Sequence, residues 1–215
     1  MPSDADRSPK AVAAVVAGLA ADGIAVVPDF LPPDDIAGLR QEAMASDAVG
    51  ALAPAGIGRG TARIARTDIR GDRIRWLDEN AAASAETTFW ARLTTLRDTL
   101  NRELMLGLWD FEGHYALYPP GARYAMHRDR FRDDDTRVVS CILYLNEAWG
   151  VDDGGALRLW AGAAVVREVH PTGGTLVTFL ADRFPHEVLP ARRPRLALTG
   201  WFRRRPSSAS AGFRN

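Results

Sequence analysis

Between Asp110 and Phe202 the chain breaks into eight short β-type runs: FEGHYALY, ARYAMHRD, RVVSCILYLN, ALRLWA, AVVREV, GTLVTFLA, PHEVLP and RLALTGWF. Turn-forming sequences such as PPG, DDGG and PTGG part them. Strands this short and this closely spaced indicate a β-sandwich or barrel. With 215 residues, 47% of them hydrophobic, the chain is long enough to bury a sizeable core. We therefore expect a mainly β fold with supporting helices in a single domain over residues 1–205, of which 110–205 form the β core and 8–109 the helical support with short strands. The tail, 206–215, is small and polar and is expected to be disordered.

The first half reads differently. Ser8 can cap a helix with Pro9 at its first position and Gly23 at its end. GIAVVPDF follows as a short strand, and PPDDIAGLRQEAMA as a second helix with Pro and Asp in its first turn. VGALAPAGIGRG has no apolar period and is expected to be a mobile loop. TARIARTDIRGDRIRWL alternates as two short strands around a turn at Gly71. From about Glu86, Phe89, Leu93, Leu96, Leu100 and Leu104 recur at helical spacing and predict a third helix that covers one sheet.

Charge and cysteine usage narrow the function classes. The 27 basic and 27 acidic residues balance, which argues against nucleic acid or a membrane surface as the main partner. The lone Cys141 lies in an apolar run, so it forms no internal disulfide and is expected to be a buried thiol, as suits a reducing cytoplasm. The apolar run from Ala11 to Ala21 is too short to span a bilayer, and the residues before it are not basic. We expect a cytoplasmic protein, a monomer, with no nucleic-acid or membrane partner.

The stretch YAMHRDRFRDDD is either a solvated charged loop or the start of a metal site. His127 and Asp129 are two residues apart in a run with strand character, so their side chains share one face. The pair alone is a common accident; His186, in PHEVLP 57 residues after Asp129, can complete a set of two histidines and one carboxylate. That set leaves three octahedral positions open and suits ferrous iron that must bind a co-substrate and dioxygen. A closed zinc site would use four ligands, and zinc supplies no redox step. Nine residues after His186, across the turn PARRP, Arg195 faces the interior with Ala197, Thr199 and Trp201 by period two, given a hairpin that sets it beside HEV. A guanidinium buried there needs an anion, and a dicarboxylate co-substrate would provide one, with the hydroxyl of Tyr144 on the same carboxylate. The alternative for Arg195 is an ordinary surface arginine at a strand start, one of three in ARRPR.

Taken in order, DIRGDRIRWL, YPPGARYAMHRD, CILYLNEAW, GGALRLW and FPHEVLPARRPRLALTGWF resemble the oxygen-sensing prolyl hydroxylases and their bacterial relatives, within the iron(II)- and 2-oxoglutarate-dependent oxygenases. The likeness covers about residues 67–203, while 8–46 agree only in their helix, strand, helix pattern. It implies a double-stranded β-helix, the jelly-roll or cupin-like core, in an oxygenase domain. By resemblance His127, Asp129 and His186 ligate iron, and Arg195 pairs with the distal carboxylate of 2-oxoglutarate together with Tyr144. Tyr118 approaches the co-substrate near the metal, Leu157 walls its chain, and Thr199 and Trp201 line the pocket. Tyr124 and Arg137 lie near the mouth where a substrate proline enters. Arg70 and Asp72 belong to a segment beside the substrate groove and pair with each other or with the substrate, unless they form a plain charged turn. The implied cofactors are iron(II), 2-oxoglutarate and dioxygen, with the need for ascorbate left open.

The implied reaction is oxidative decarboxylation of 2-oxoglutarate to succinate and carbon dioxide, coupled to hydroxylation of a prolyl residue in a protein or peptide. For a bacterial member the resemblance suggests a translation factor such as elongation factor Tu. The same chemistry on a free amino acid or small metabolite, and a catalytically silent jelly-roll binding module, are the alternatives. The loops GALAPAGIGRGTARIAR and RFRDDDT depart from the animal enzymes and flank the expected entrance. Residues 48–66 are expected to supply a long mobile substrate loop. His114 and His170 are expected at the surface or half-buried and not as ligands, and of the six tryptophans only Trp201 is expected in the pocket.

Overall fold

The structure, a computed structural model, describes residues 4–57, 64–130 and 135–206. Most of the expected tail, the centre of the loop at 48–66 and most of the charged loop after Arg130 lie outside the described residues.

Three helices precede the β core. α1, Asp4–Ala21, starts four residues earlier than the expected cap at Ser8, so Pro9 lies inside it. There it removes one backbone hydrogen bond of the second turn, since proline has no N–H to donate. Gly23, at φ +75°, closes it as expected, its N–H donating to the Leu19 carbonyl. α2, Pro33–Ala48, opens on a proline that has no N–H to leave unpaired, followed by Asp34 and Asp35 against the positive helix end. α3, Ser84–Leu104, buries Phe89, Trp90, Leu93, Leu96 and Leu100 along one stripe and ends at Met105 in the left-handed region.

Thirteen strands are described: β1 Ile24–Val27, β2 Ala53–Pro54, β3 Gly56–Ile57, β4 Ile64–Ala65, β5 Arg73–Trp76, β6 Leu108–Tyr118, β7 Tyr124–His127, β8 Arg137–Tyr144, β9 Leu157–Ala161, β10 Ala164–Val169, β11 Leu176–Leu180, β12 His186–Val188 and β13 Arg195–Arg204. The major sheet has the order β1-β11-β8-β13-β6-β5-β2, the minor sheet β10-β9-β12-β7, and β3 pairs with β4 apart from both. All pairings are antiparallel. Two packed antiparallel sheets with helices on one of them make the jelly-roll architecture expected.

Period-two alternation divides the core in two. Val139, Cys141 and Leu143 of β8 and Leu196, Leu198 and Phe202 of β13 face the helices, with Tyr115 and Leu117 of β6. Ile142, Tyr144, Ala197, Ala116 and Tyr118 from the same strands face the minor sheet, where Leu157, Leu159 and Val188 meet them, and Phe179 of β11 in the major sheet joins the same cluster. β12 and β13 do not form the expected hairpin. The turn PARRP carries the chain from the minor sheet, where β12 lies between β9 and β7, into the major sheet, where β13 lies between β8 and β6. Sequence adjacency misleads there because jelly-roll connections cross between sheets.

Candidate metal centre and its cavity

His127 ends β7 and His186 begins the neighbouring β12, opposite each other in register. Asp129 is not on the strand as expected; it sits at a bend past the end of β7, and the Ser140 hydroxyl of β8 donates to its Oδ2 at 2.7 Å. One donor atom from each of His127, Asp129 and His186 lies within 4.8 Å of the others. Nε2 of His127 is 3.6 Å from one Asp129 oxygen, and Nε2 of His186 is 3.5 Å from the other.

Backbone carbonyls set the imidazoles. Nδ1 of His127 lies 2.8 Å from the Ala125 carbonyl, and Nδ1 of His186 lies 3.2 Å from that of Phe184. A carbonyl only accepts, so each Nδ1 carries the proton and each Nε2 presents a lone pair to the centre. The Tyr124 ring stacks on His127 at 3.6 Å, and Phe179 meets His186 edge-on at 4.8 Å. Burial, with the nearby charge of His127, pushes the His186 imidazole down to about 4 against the pull of Asp129. Burial would raise the Asp129 carboxyl, but the two imidazoles and the Ser140 hydroxyl outweigh it and hold it below the usual carboxylate range. A neutral His186 imidazole beside an ionised Asp129 carboxylate is the state a divalent cation requires.

The centre opens on a cavity of about 100 Å³ between the sheets, lined by Arg70, Tyr118, Tyr124, Arg137, Leu157, Arg195, Thr199 and Trp201 together with the three ligand candidates. Arg195, 1% exposed, donates through Nε to the Gly155 carbonyl at 2.9 Å, and its guanidinium lies 5.0 Å from the ring centre of Tyr144 and 5.2 Å from that of Tyr118. Gly155 adopts φ +69°, and a Cβ there would meet the Arg195 side chain at 3.1 Å, so both the backbone and the close approach call for glycine. Tyr144 does not line the cavity but stands fully buried behind Arg195. Nη2 of Arg195 and the Tyr144 hydroxyl, both buried, have no hydrogen-bond partner among the described residues. A carboxylate fits both groups, and two histidines with one carboxylate fit iron, so the residues present suit the pair.

Among the lining residues expected near the entrance, Arg70 grips Asp72 through two hydrogen bonds of 2.7 and 2.9 Å and covers the Tyr124 ring at 4.8 Å. Asp72 is buried, so this pair is more than a charged surface turn. Arg137 stacks on Trp201 at 3.4 Å and donates to Glu112 at 2.6 Å.

Three residues escaped sequence reasoning. His114 is buried and lines the cavity, where a surface or half-buried place was expected. Trp76 joins it there, while His170 is half-buried away from the site. The missed signal for His114 was period two: it shares a face of β6 with Ala116 and Tyr118. Ser140, on the Tyr144 face of β8, was equally legible by the same rule.

Residues 113–203 match the 2OG-Fe(II) oxygenase superfamily. The chain is 37% identical over 145 residues to human Egl nine homolog 1, which covers 63% of this chain and 33% of that protein, so it spans about a third of that relative's length. A crystal structure of a Pseudomonas putida prolyl-4-hydroxylase superposes with a TM-score of 0.81 at 49% identity, over 90% of this chain and 99% of that one. A Trichoplax adhaerens prolyl hydroxylase in complex with a hypoxia inducible factor oxygen degradation domain peptide superposes with a TM-score of 0.83 at 26% identity, over 93% and 91% of the two chains.

Proposed function

Because the chain belongs to the 2OG-Fe(II) oxygenase superfamily, in its prolyl hydroxylase branch, we propose that it hydroxylates a prolyl residue of a protein, using iron(II), 2-oxoglutarate and dioxygen and releasing succinate and carbon dioxide. The observation that carries this reading is the placement of His127, Asp129 and His186 on the same cavity as Arg195, whose Nη2 lacks a partner.

In this reading His127, Asp129 and His186 hold iron, and Arg195 and Tyr144 hold the distal carboxylate of 2-oxoglutarate. When bound, the pair supplies oxidative decarboxylation coupled to insertion of one oxygen atom of dioxygen into a substrate C–H bond. The residues of this chain bind, orient and exclude water. Tyr118 and Leu157 flank the co-substrate on the buried side, and Ile142, Val188 and Trp201 give the cavity apolar walls that keep bulk water out. Thr199 completes the wall on β13. Tyr124, Arg137 and the Arg70–Asp72 pair frame the side on which the prolyl ring enters.

We take the substrate to be a cytoplasmic protein, with a translation factor, elongation factor Tu, as the first to test. Its support is the resemblance to bacterial members together with the charged side chains of Arg70, Arg128 and Arg137 on the cavity; a monomer with a single domain over 1–205 is part of the same proposal. Among the described residues no helix is long and apolar enough to cross a membrane.

The test is mass spectrometry of proteins from cells with and without the enzyme, alongside succinate release by the purified iron-loaded protein. A gain of one oxygen on a proline supports the proposal. Turnover of free proline at the peptide rate would move the substrate to a small metabolite, and absence of succinate would leave only a binding module.

A further inference from the structure

His114 is 1% exposed, yet its side chain lines the cavity. We infer that His114 donates a hydrogen bond to the metal-side carboxylate of the co-substrate diacid, which rests on the co-substrate reading above. The argument comes from the rows of side chains that the register of the major sheet sets across the cavity floor. The first row holds Arg195 opposite Tyr118, and the second Ala197 with Ala116 and Tyr144. The third holds Thr199 with His114, Trp76 and Ile142. The fourth holds Trp201 with Ser140, the residue bonded to Asp129. Successive rows on one face stand about 7 Å apart along the strands.

The guanidinium that anchors one end of the diacid lies between Tyr118 of the first row and Tyr144 of the second, 5.2 and 5.0 Å from their ring centres. The metal ligand nearest this sheet is tied to the fourth row. A five-carbon diacid bound at both ends therefore crosses the third row with its metal-side half, where His114 and Thr199 are the polar side chains.

The imidazole is fixed for such a task. Trp76 meets it edge-on at 4.8 Å, Trp201 lies 5.6 Å away at a tilt, and Nη2 of Arg70 is 3.4 Å from its Nε2. A guanidinium donates and does not accept, so Nε2 is the acceptor in that contact and the proton sits on Nδ1. His114 thus keeps Nδ1–H as its donor, on a side chain that lines the same cavity as the metal-ligand candidates. The plain alternative is a histidine that only packs between two tryptophans.

The two readings separate on binding, measured without turnover by quenching of tryptophan fluorescence in the manganese-loaded protein under nitrogen. His114→Leu is expected to weaken 2-oxoglutarate roughly tenfold or more. His114→Asn keeps an N–H in the place of Nδ1–H and should recover most of the affinity, whereas His114→Gln, with its N–H on the other side, should not. That pair carries the test if the leucine variant fails to fold. 4-Oxopentanoate keeps the keto group and distal carboxylate but has a methyl in place of the metal-side carboxylate, so its binding should not change in His114→Leu. Equal loss for both ligands would mean packing only and would overturn the inference, as would wild-type affinity in His114→Leu while Arg195→Met loses binding. If Arg195→Met also binds 2-oxoglutarate normally, the co-substrate reading itself falls.

Discussion

Backbone carbonyls set the two histidines, but Asp129 is held by a side chain that a single substitution removes. The Ser140 hydroxyl fixes Asp129, and outer contacts of this kind are worth about 10- to 100-fold in metal affinity. Ser140→Ala is expected to weaken iron(II) by that range in a chelator competition while the protein stays folded, and His127→Ala to reduce succinate release to background. The His186 imidazole carries a pH signature. An unfolded histidine titrates near 6.5, whereas the buried one is pushed down to about 4. Between those values the unfolded chain binds more protons, so acid favours unfolding. The depressed Asp129 carboxyl extends the same trend below its ordinary range. Denaturant melts of the metal-free protein should show stability present above about pH 6.5 and lost as pH falls towards 4; a flat profile would contradict the buried neutral state.

β13 is the element on which both cores depend, since one face carries Arg195, Ala197, Thr199 and Trp201 and the other Leu196, Leu198 and Phe202. Its weak point is Gly200, opposite Gly113 of β6 under the ring of Phe111. A Cβ on Gly200 would lie 2.3 Å from that ring and 2.5 Å from the Glu112 carbonyl, and the carbonyl cannot swing aside. Gly200→Ala should therefore cost about 1–3 kcal/mol and lower the melting midpoint by roughly 2–10 °C. The same strand marks what sequence could and could not give. Its inward and outward residues followed from period two, which needs no knowledge of neighbours. Its partners did not, because pairing with β6 and β8 joins residues up to 96 positions apart, Arg204 with Leu108, whereas the turn PARRP suggested a local hairpin. Asp129 shows the limit from the other side: it reaches the centre through a bend and a bond to Ser140, and alternation alone predicts neither. His114 was readable from its own strand, since it alternates onto the same face as Ala116 and Tyr118.

At the scale of the molecule, two cores share one sheet, so stability is distributed unevenly. β13, β8 and β6 pair on both edges and are covered on both faces, whereas β10 is an edge strand with only Val169 buried. Hydrogen exchange should be slowest in the three central strands and fast in β10, and slow exchange in β10 would indicate that another surface covers it. The division between the cores also decides the fate of Cys141. It lies between Ser140, which is bonded to Asp129, and Ile142, which lines the cavity, but its own side chain turns toward the helices, and burial pushes its thiol well above the ordinary range. Thiolates, not thiols, are attacked by oxidants. An oxygenase whose turnover goes astray exposes its own lining to damage first, and a one-residue shift of register would have put this thiol in that lining. The parity of one strand thus gives the chain a built-in tolerance to its own chemistry, which would appear as an unmodified cysteine after prolonged incubation with iron, 2-oxoglutarate and air.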